Sequence, residues 1–235
     1  MEIRPIHTDA DYRAVLREVS AYFENEPEPG SPEGDRFEVL VTLLEAYEAK
    51  HFPIDVLRAA AQLGMAAIYC DEATGGSGLR RLDAVRIFEQ LAYADPAVAS
   101  FISIHNMCAW MVDNYGTPAQ RERWVPQLAG MDAIASYCLT EPGAGSDAAA
   151  LRTRAVRDGD EYVLDGVKQF ISGGGASDVY VVMARTGAEG PKGISAFVVE
   201  KDTPGVSFGT NEAKMGWNAQ PTAQVIFEQA RVPAD

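Results

Sequence analysis

A run of small residues in the second half of the chain could hold a ligand through its backbone. Residues 137–147 read Tyr-Cys-Leu-Thr-Glu-Pro-Gly-Ala-Gly-Ser-Asp. Glycines let backbone N–H groups approach a ligand closely, and successive amides in such a turn form a concavity that attracts anions. On these residues alone, a ligand-binding loop and a plain connector remain equally open.

Two common phosphate-binding loops do not fit this run. A Walker loop needs Lys and then Ser or Thr after its glycines, whereas here Ser146 and Asp147 follow. A dinucleotide fingerprint starting at Gly143 would place Ala148 at its third glycine, which is an allowed variant. That fingerprint also needs a βαβ unit, and the downstream sequence predicts strands without alternating helices. The glycines at residues 173–175 fail the same test.

A second stretch, residues 168–174, reads Lys-Gln-Phe-Ile-Ser-Gly-Gly at the expected end of a strand. Together the two stretches resemble the flavin-binding signature of acyl-CoA dehydrogenases. The resemblance covers about residues 52–235 and includes Gly-Gly-Ser-Gly-Leu at 75–79. Within that family, residues 104–111 and 216–222 look most like isobutyryl-CoA dehydrogenases, the branched-chain members that act in valine breakdown.

The resemblance implies an FAD site. Thr140 would donate a hydrogen bond to the pyrimidine edge of the flavin, where negative charge builds as a hydride arrives at N5. Phe170 takes the place of an aromatic residue that packs against the ring system. Ser172 matches a hydroxyl that bonds near N5, and Ser146 is expected to touch the acyl-CoA substrate as well. The implied cofactor-binding residues are Tyr137, Cys138, Leu139, Thr140, Gly145, Ser146, Phe170, Ile171 and Ser172.

The reaction that the resemblance implies is α,β-dehydrogenation of an acyl-CoA, with FAD as the hydride acceptor. A carboxylate in a dry pocket removes the weakly acidic α-proton while hydrogen bonds hold the thioester oxygen. In the family this glutamate usually comes from a C-terminal helical domain, which would begin about where the sequence stops. We therefore expect no catalytic residue here. The resemblance also implies an electron-transferring flavoprotein as electron acceptor, and a homo-oligomer.

These residues must be positioned by helices and strands, and the predicted order of helices followed by strands indicates an α+β fold. We expect a helical N-terminal domain followed by an antiparallel β-barrel-like middle domain, as in acyl-CoA dehydrogenases but lacking the C-terminal helical bundle. The expected division is 1–51 as an antitoxin-like helical hairpin, 52–130 as the N-terminal helical domain, and 131–235 as the middle β-domain that binds flavin and acyl-CoA.

Apolar residues at helical spacing predict the helices that precede the ligand loop. Thr117, followed by proline, is expected to cap the last of them. His105 and Trp110 lie among apolar residues of one such helix, and we interpret both as core residues rather than catalytic groups. The expected long helices span about 80–93, 97–115 and 118–129.

After residue 131 the spacing of the apolar residues changes, and the new pattern predicts strands. Segments 161–164 and 167–171 flank Asp165 and Gly166, which predict a two-residue hairpin turn. Further β-branched segments bounded by Gly, Pro or Asp are expected to be strands at 179–184, 194–199 and 224–227.

The first 51 residues depart from the usual start of a dehydrogenase. Apolar residues predict a helix beginning after Thr8 and a second helix over about 34–50, separated by the proline-rich residues 26–32. The segment resembles the N-terminal helical region of antitoxins from host-inhibition-of-growth pairs. A chimera in which this hairpin mediates assembly or toxin binding, and a divergent dehydrogenase N-terminus, both remain open. The apolar stripe of the first helix is expected to consist of Tyr12, Val15, Leu16, Val19, Tyr22 and Phe23.

The amino-acid composition argues against some classes of binding partner. The net charge of −14 and a sequence pI near 4.6 disfavour nucleic acid and anionic membrane as partners. Three cysteines without CxxC spacing predict reduced thiols packed in the core, and the three histidines have no metal-ligand spacing. The sequence opens without an apolar leader and contains no membrane-length apolar run, so we expect a cytoplasmic protein.

Overall fold

The computed structural model describes residues 3–22, 25, 27–48 and 51–234. Of the residues used above, Phe23, Glu26, Lys50 and Asp235 lie outside the described residues. The chain divides into two compact units. The first comprises Met1–Pro53 together with Lys214–Ala219, and the second comprises Ile54–Ala213 together with Gln220–Asp235.

The first unit contains helices α1 (Asp9–Tyr22) and α2 (Pro32–Glu48). Thr8 caps α1 as predicted, because its hydroxyl accepts from the Asp11 amide at 3.2 Å while the Asp11 carboxylate accepts from the Thr8 amide at 2.9 Å. The two helices enclose a small core in which Val19, Leu40 and Leu44 are buried. The two helices pair through the apolar stripes as predicted, except that Leu16 is 38% exposed and lies outside this core.

Four helices open the second unit. The predicted long helices are confirmed within one or two residues, and Thr117 caps the last one through a reciprocal pair of bonds with Gln120. The side chain of Asp95 accepts hydrogen bonds from two backbone amides at the start of the longest helix. The first residue of that helix is proline, which favours a helix start because its backbone dihedral is already helical. The helices are α3 (Ile54–Gln62), α4 (Arg81–Ala94), α5 (Pro96–Tyr115) and α6 (Pro118–Ala129).

A seven-stranded sheet follows the helices. Its hydrogen-bonded order is β1-β4-β2-β3-β7-β6, with β5 on the other side of β4. Four pairings are antiparallel as predicted, whereas β1 and β2 both run parallel to β4, so the sheet is mixed. The strands are β1 (Ala135–Cys138), β2 (Arg154–Asp158), β3 (Glu161–Ser172), β4 (Val179–Arg185), β5 (Ile194–Glu200), β6 (Val206–Phe208) and β7 (Thr222–Pro233).

The predicted hairpin turn at Asp165 and Gly166 is wrong. Both residues lie inside the continuous strand β3, where the register against β7 shifts between Leu164 and Gly166. Gly166 has φ +147° there, so glycine accommodates a bulge rather than a reversal of the chain. The hairpin turn lies one Asp-Gly pair earlier, at the β2–β3 turn around Gly159, with φ +64°.

The core of the second unit lies between α5, α6 and one face of the sheet. All three cysteines are free and buried, which confirms their interpretation as core thiols. His105 is fully buried: its Nε2 bonds the Leu128 carbonyl at 2.9 Å, and its Nδ1 accepts from the Ala135 amide at 3.0 Å. It therefore joins α5 to the end of α6 and the start of β1, as a structural residue. No helix in the described ranges is long and apolar enough to cross a membrane.

Candidate functional site

The two stretches singled out in the sequence lie side by side. The chain from Ser136 to Glu141 runs antiparallel to the last residues of β3. The Gln169 amide donates to the Thr140 carbonyl at 2.8 Å, and the Ser136 hydroxyl donates to the Ser172 carbonyl at 2.5 Å. The structure thus brings together the segments that carry Thr140 and Ser172.

A buried ion pair anchors the beginning of the glycine-rich turn. Lys168, with a side chain that is 0% exposed, donates to the Glu141 carboxylate at 2.7 Å and to the Leu139 carbonyl at 3.0 Å. Glu141 also accepts from the backbone amides of Arg152 and Thr153 at 2.6 and 2.9 Å. One carboxylate therefore ties both ends of the turn to strand β3.

The pKa directions of this pair follow from its surroundings. Burial alone would raise the pKa of Glu141, but the hydrogen bonds that it accepts from Lys168 and the two amides lower it on balance. Burial lowers the pKa of Lys168, and the contact with Glu141 opposes that shift without overcoming it. We infer that Glu141 is ionised at neutral pH, since the three hydrogen bonds that its carboxylate accepts all favour the charged form.

A second cation holds the far end of the turn. The Arg185 guanidinium donates to the Ala149 carbonyl at 2.7 Å and to the Leu151 carbonyl at 3.1 Å. Its backbone amide donates to Thr153 at 2.7 Å. Between the two anchored ends, Gly145 and Ser146 are exposed, and a Cβ placed on Gly143 or Gly145 would meet no atom within 4 Å. The middle of the turn is therefore open to a ligand, while its ends are fixed.

Phe170 is the exposed aromatic residue beside this turn. It has φ +57° and lies where the register of β3 against β7 shifts between Lys168 and Ile171. Its side chain is 59% exposed although it belongs to a long strand. A non-glycine residue in the left-handed region costs about 1–2 kcal/mol, and such strain is typical of residues held for function. The bulge thus leaves a flat apolar ring exposed one residue after Gln169, whose amide donates to the Thr140 carbonyl.

Ser172 ends β3 and is held from several sides. Its backbone pairs with Thr222 of β7, and the Gln220 side-chain amide donates to its hydroxyl. Gly173 follows with φ +79°, and a Cβ there would overlap the hydroxyls of Ser136 and Ser177. The turn after β3 therefore requires glycine, both for its left-handed backbone and for the close approach of two serines.

The nine residues predicted to bind the cofactor have different environments. Thr140 and Ser172 are half-buried, and Gly145, Ser146 and Phe170 are exposed. Cys138 and Ile171 are buried at 0% and 2% exposure, so neither offers appreciable surface to a ligand. The partly buried Tyr137 and Leu139 complete the set, with Tyr137 packed against the core under α5 and α6.

Three residues that support this site were not predicted from the sequence. Lys168, Glu141 and Gln220 are each buried polar residues that bond to the two ligand stretches. A lysine inside a predicted strand was the available signal, because a charge buried in a sheet needs a buried partner. The partner Glu141 lies in the turn itself, while nothing in the spacing of Gln220 pointed to Ser172.

A large cavity lies elsewhere in the second unit. It has a volume of about 740 Å³ and contains none of the nine predicted residues in its lining. Among the described ranges, no group of three His, Cys, Asp or Glu side chains could hold a metal ion. The open turn beside Phe170 is therefore the candidate site on the strength of its chemistry.

Comparison with family models agrees with this architecture of helices followed by a mixed sheet. The model described as "Acyl-CoA dehydrogenase, N-terminal domain" matches residues 9–132, and "Acyl-CoA dehydrogenase, middle domain" matches residues 136–230. The chain belongs to the acyl-CoA dehydrogenase family. The first match begins at residue 9 and so includes both helices of the 1–51 segment.

Similar curated proteins include isobutyryl-CoA dehydrogenases. The mitochondrial enzyme of Dictyostelium discoideum is 62% identical over 185 residues, which are 78% of this chain and 44% of that protein. The mitochondrial enzyme of Bos taurus is 57% identical over 182 residues, with 77% and 44% covered. Acryloyl-CoA reductase (NADH) of Anaerotignum propionicum is 40% identical over 224 residues, with 94% and 54% covered. The chain spans about half the length of these relatives.

Solved structures share the fold. Butyryl-CoA dehydrogenase from Megasphaera elsdenii has a TM-score of 0.75 at 31% identity, with 100% of this chain and 59% of that chain covered. Glutaryl-CoA dehydrogenase from Mycobacterium smegmatis in complex with FADH2 has a TM-score of 0.73 at 28% identity, with 97% and 55% covered. A structure described as electron transferring flavoprotein of Acidaminococcus fermentans has a TM-score of 0.76 at 32% identity, with 99% and 58% covered.

Proposed function

We propose that the chain supplies the FAD- and acyl-CoA-binding part of a dehydrogenase that acts on a short branched acyl-CoA such as isobutyryl-CoA. The observation that carries the proposal is the exposed, left-handed Phe170 beside an open glycine-rich turn. A flat apolar ring, two nearby hydroxyl-bearing strand ends and unobstructed backbone amides suit a planar cofactor with a polar edge.

FAD fits the residues present. The flavin, when bound, supplies the electron sink for hydride removal from the substrate. Thr140 would hold the pyrimidine edge and Ser172 the edge near N5, with Phe170 packed on the ring system. Ser146, exposed in the turn, would contact both flavin and acyl-CoA. We assign no glutamate of this sequence as the base that removes the α-proton.

The choice of substrate and partners rests on similarity. Two isobutyryl-CoA dehydrogenases at 62% and 57% identity support a branched short-chain substrate. The neighbouring electron-transferring flavoprotein structure is consistent with such a protein as electron acceptor. A homo-oligomer and a cytoplasmic location are further parts of the proposal, and both can be checked by size-exclusion chromatography and by cell fractionation.

The visible absorption spectrum of the purified chain with added FAD tests the proposal. We expect bound flavin, a change in its bands on adding isobutyryl-CoA, and roughly fivefold weaker FAD affinity in Phe170→Ala, because a stacked ring contributes about 1 kcal/mol. Tyr93→Ala is the matched control, since Tyr93 is a 95% exposed aromatic residue on α4. A wild-type chain that stays colourless after incubation with FAD would contradict the proposal.

A second proposal concerns the division of the chain at about residues 51 and 130. The contacts separate a unit that comprises Met1–Pro53 together with Lys214–Ala219, and they give no division near residue 130. The two isobutyryl-CoA dehydrogenases reported above align with 185 and 182 of the 235 residues. These observations support a distinct N-terminal unit, and we propose that it mediates assembly or binds another protein, as the antitoxin resemblance implied. The family model that matches residues 9–132 supports the alternative, a divergent dehydrogenase N-terminus. The test is size-exclusion chromatography with and without residues 1–51. An unchanged oligomeric state after deletion would count against a role in assembly.

A further inference from the structure

Gln220 contacts the Ser172 hydroxyl from a fixed position. Its side chain is 5% exposed, and its Nε2 donates to Ser172 Oγ. It lies two residues before β7, whose first residue, Thr222, pairs with Ser172. Pro221 follows Gln220 directly, and its carbonyl accepts a hydrogen bond from the Gly173 amide at 2.7 Å. The backbones of both partners are therefore held by the sheet and the turn.

The direction of this hydrogen bond determines where the hydroxyl hydrogen can go. A serine hydroxyl has one donor hydrogen and two acceptor lone pairs, whereas an amide nitrogen can only donate. With Gln220 donating, Ser172 Oγ acts as an acceptor in this contact, and its hydrogen is directed away from Gln220. A donated hydrogen bond also polarises the hydroxyl, which strengthens it as a donor.

We propose that Gln220 is a positioning residue that orients the Ser172 hydroxyl to donate to the edge of the bound flavin. The inference rests on the proposed FAD site and adds a residue that lies outside the two ligand stretches. Gln220 itself touches Ser172 rather than the cofactor, so it acts through the serine. Both residues would be needed for one hydrogen bond.

A double-mutant cycle on the full chain tests this role. FAD affinity and the visible bands of bound FAD are measured for Gln220→Leu, Ser172→Ala and the double variant. One net hydrogen bond contributes about 1 kcal/mol, so we expect roughly fivefold weaker FAD binding in each single variant. We expect the double variant to match Ser172→Ala, because Gln220 has no hydroxyl left to orient.

Two further variants separate positioning from folding. Gln127→Leu is the matched control, since Gln127 on α6 also donates its Nε2 to a neighbouring group, the Arg123 carbonyl, away from the site. We expect it to leave FAD affinity and the flavin bands unchanged. Gln220→Glu offers an acceptor in place of the donor and should turn the hydroxyl hydrogen inward, with a loss of FAD affinity at least as large as in Gln220→Leu.

The outcomes distinguish the inference from the function on which it rests. A colourless wild-type chain overturns both. If the wild type binds FAD and Gln220→Leu leaves affinity and bands unchanged, only the role of Gln220 is overturned. The role is also overturned if the loss of FAD affinity in the double variant equals the product of the two single losses. That result would show that Gln220 does not act through Ser172.

Discussion

At the scale of single residues, the Lys168–Glu141 pair decides whether the glycine-rich turn is held in place. We expect Glu141→Gln to lower the free energy of unfolding by about 3–5 kcal/mol, because it leaves the fully buried Lys168 ammonium without a counter-charge. Urea unfolding at neutral pH measures the change. The Arg152 amide donates to Oε2 and the Thr153 amide to Oε1, so the single oxygen of glutamine keeps only one of these two bonds. The measured loss therefore combines the missing charge with one lost amide bond.

The double variant Glu141→Gln with Lys168→Met is the control for that measurement. Removing both charges avoids an unpaired buried ion, so the double variant should regain most of the lost stability. A double variant that is less stable than Glu141→Gln alone would show that the lysine contributes through its bond to the Leu139 carbonyl rather than through the charge pair.

Substitution of the single residue Phe170 by glycine should change the stability of the protein and its affinity for FAD in opposite directions. We expect Phe170→Gly to raise the free energy of unfolding by about 1 kcal/mol, because glycine adopts φ +57° without strain. Phe170→Ala keeps the strained backbone and serves as the control. Both variants lose the exposed ring and should bind FAD more weakly. Thermal unfolding of the cofactor-free protein, compared with FAD titration, gives the two readouts.

At the scale of elements, the turn after β3 is where glycine is indispensable. We expect Gly173→Ala to destabilise the protein by about 3 kcal/mol, because alanine is strained at φ +79° and its methyl group would overlap Ser136 and Ser177. Gly145→Ala is the matched control, since open space surrounds that position. Urea midpoints of the two variants check the contrast, and equal midpoints would contradict it.

The helices were largely predictable from the sequence, and the strands less so. Caps such as Thr117 and apolar spacing of 3.6 residues act locally, so α4, α5 and α6 could be placed within one or two residues. Asp165 and Gly166 carry the same residue types as a hairpin turn, and only pairing with β7 makes them a bulge. The parallel contact of β1 with β4 joins residues more than forty apart, which periodicity does not reveal.

The same distinction applies to the candidate site. The Thr140 and Ser172 stretches were found because their residue types are unusual for connectors. Lys168 was visible only as one letter of a motif, and its partner is 27 residues away. Gln220 is 48 residues from Ser172, and the fold alone makes them neighbours.

At the scale of the whole molecule, buried titratable groups predict acid sensitivity. Burial lowers the pKa of His105 from 6.5 to about 4, so the folded state binds a proton less readily than the unfolded state. Stability is therefore fully present above pH 6.5 and falls as the pH drops toward about 4. Between pH 6.5 and about pH 5 we expect a loss of about 2 kcal/mol from this group.

The matched variant for this prediction is His105→Gln. Glutamine can donate to the Leu128 carbonyl and accept from the Ala135 amide, but it does not titrate. The variant should lose less stability than the wild type over that pH range in urea titrations. Glu141 adds a separate window at lower pH: its lowered pKa favours folding above its ordinary value of 4.5, and this contribution is lost on further acidification.

The turn between residues 141 and 153 combines fixed ends with an uncovered middle. A nonspecific protease would meet small, exposed residues at Gly143 and at 145–147. The Lys168–Glu141 ion pair at one end and the bonds from Arg185 to backbone carbonyls at the other would keep the two fragments associated after a cut. A cofactor lying over those peptide bonds would shield them. The rate at which this one segment is nicked would therefore report the fraction of molecules carrying a ligand, without any colour measurement.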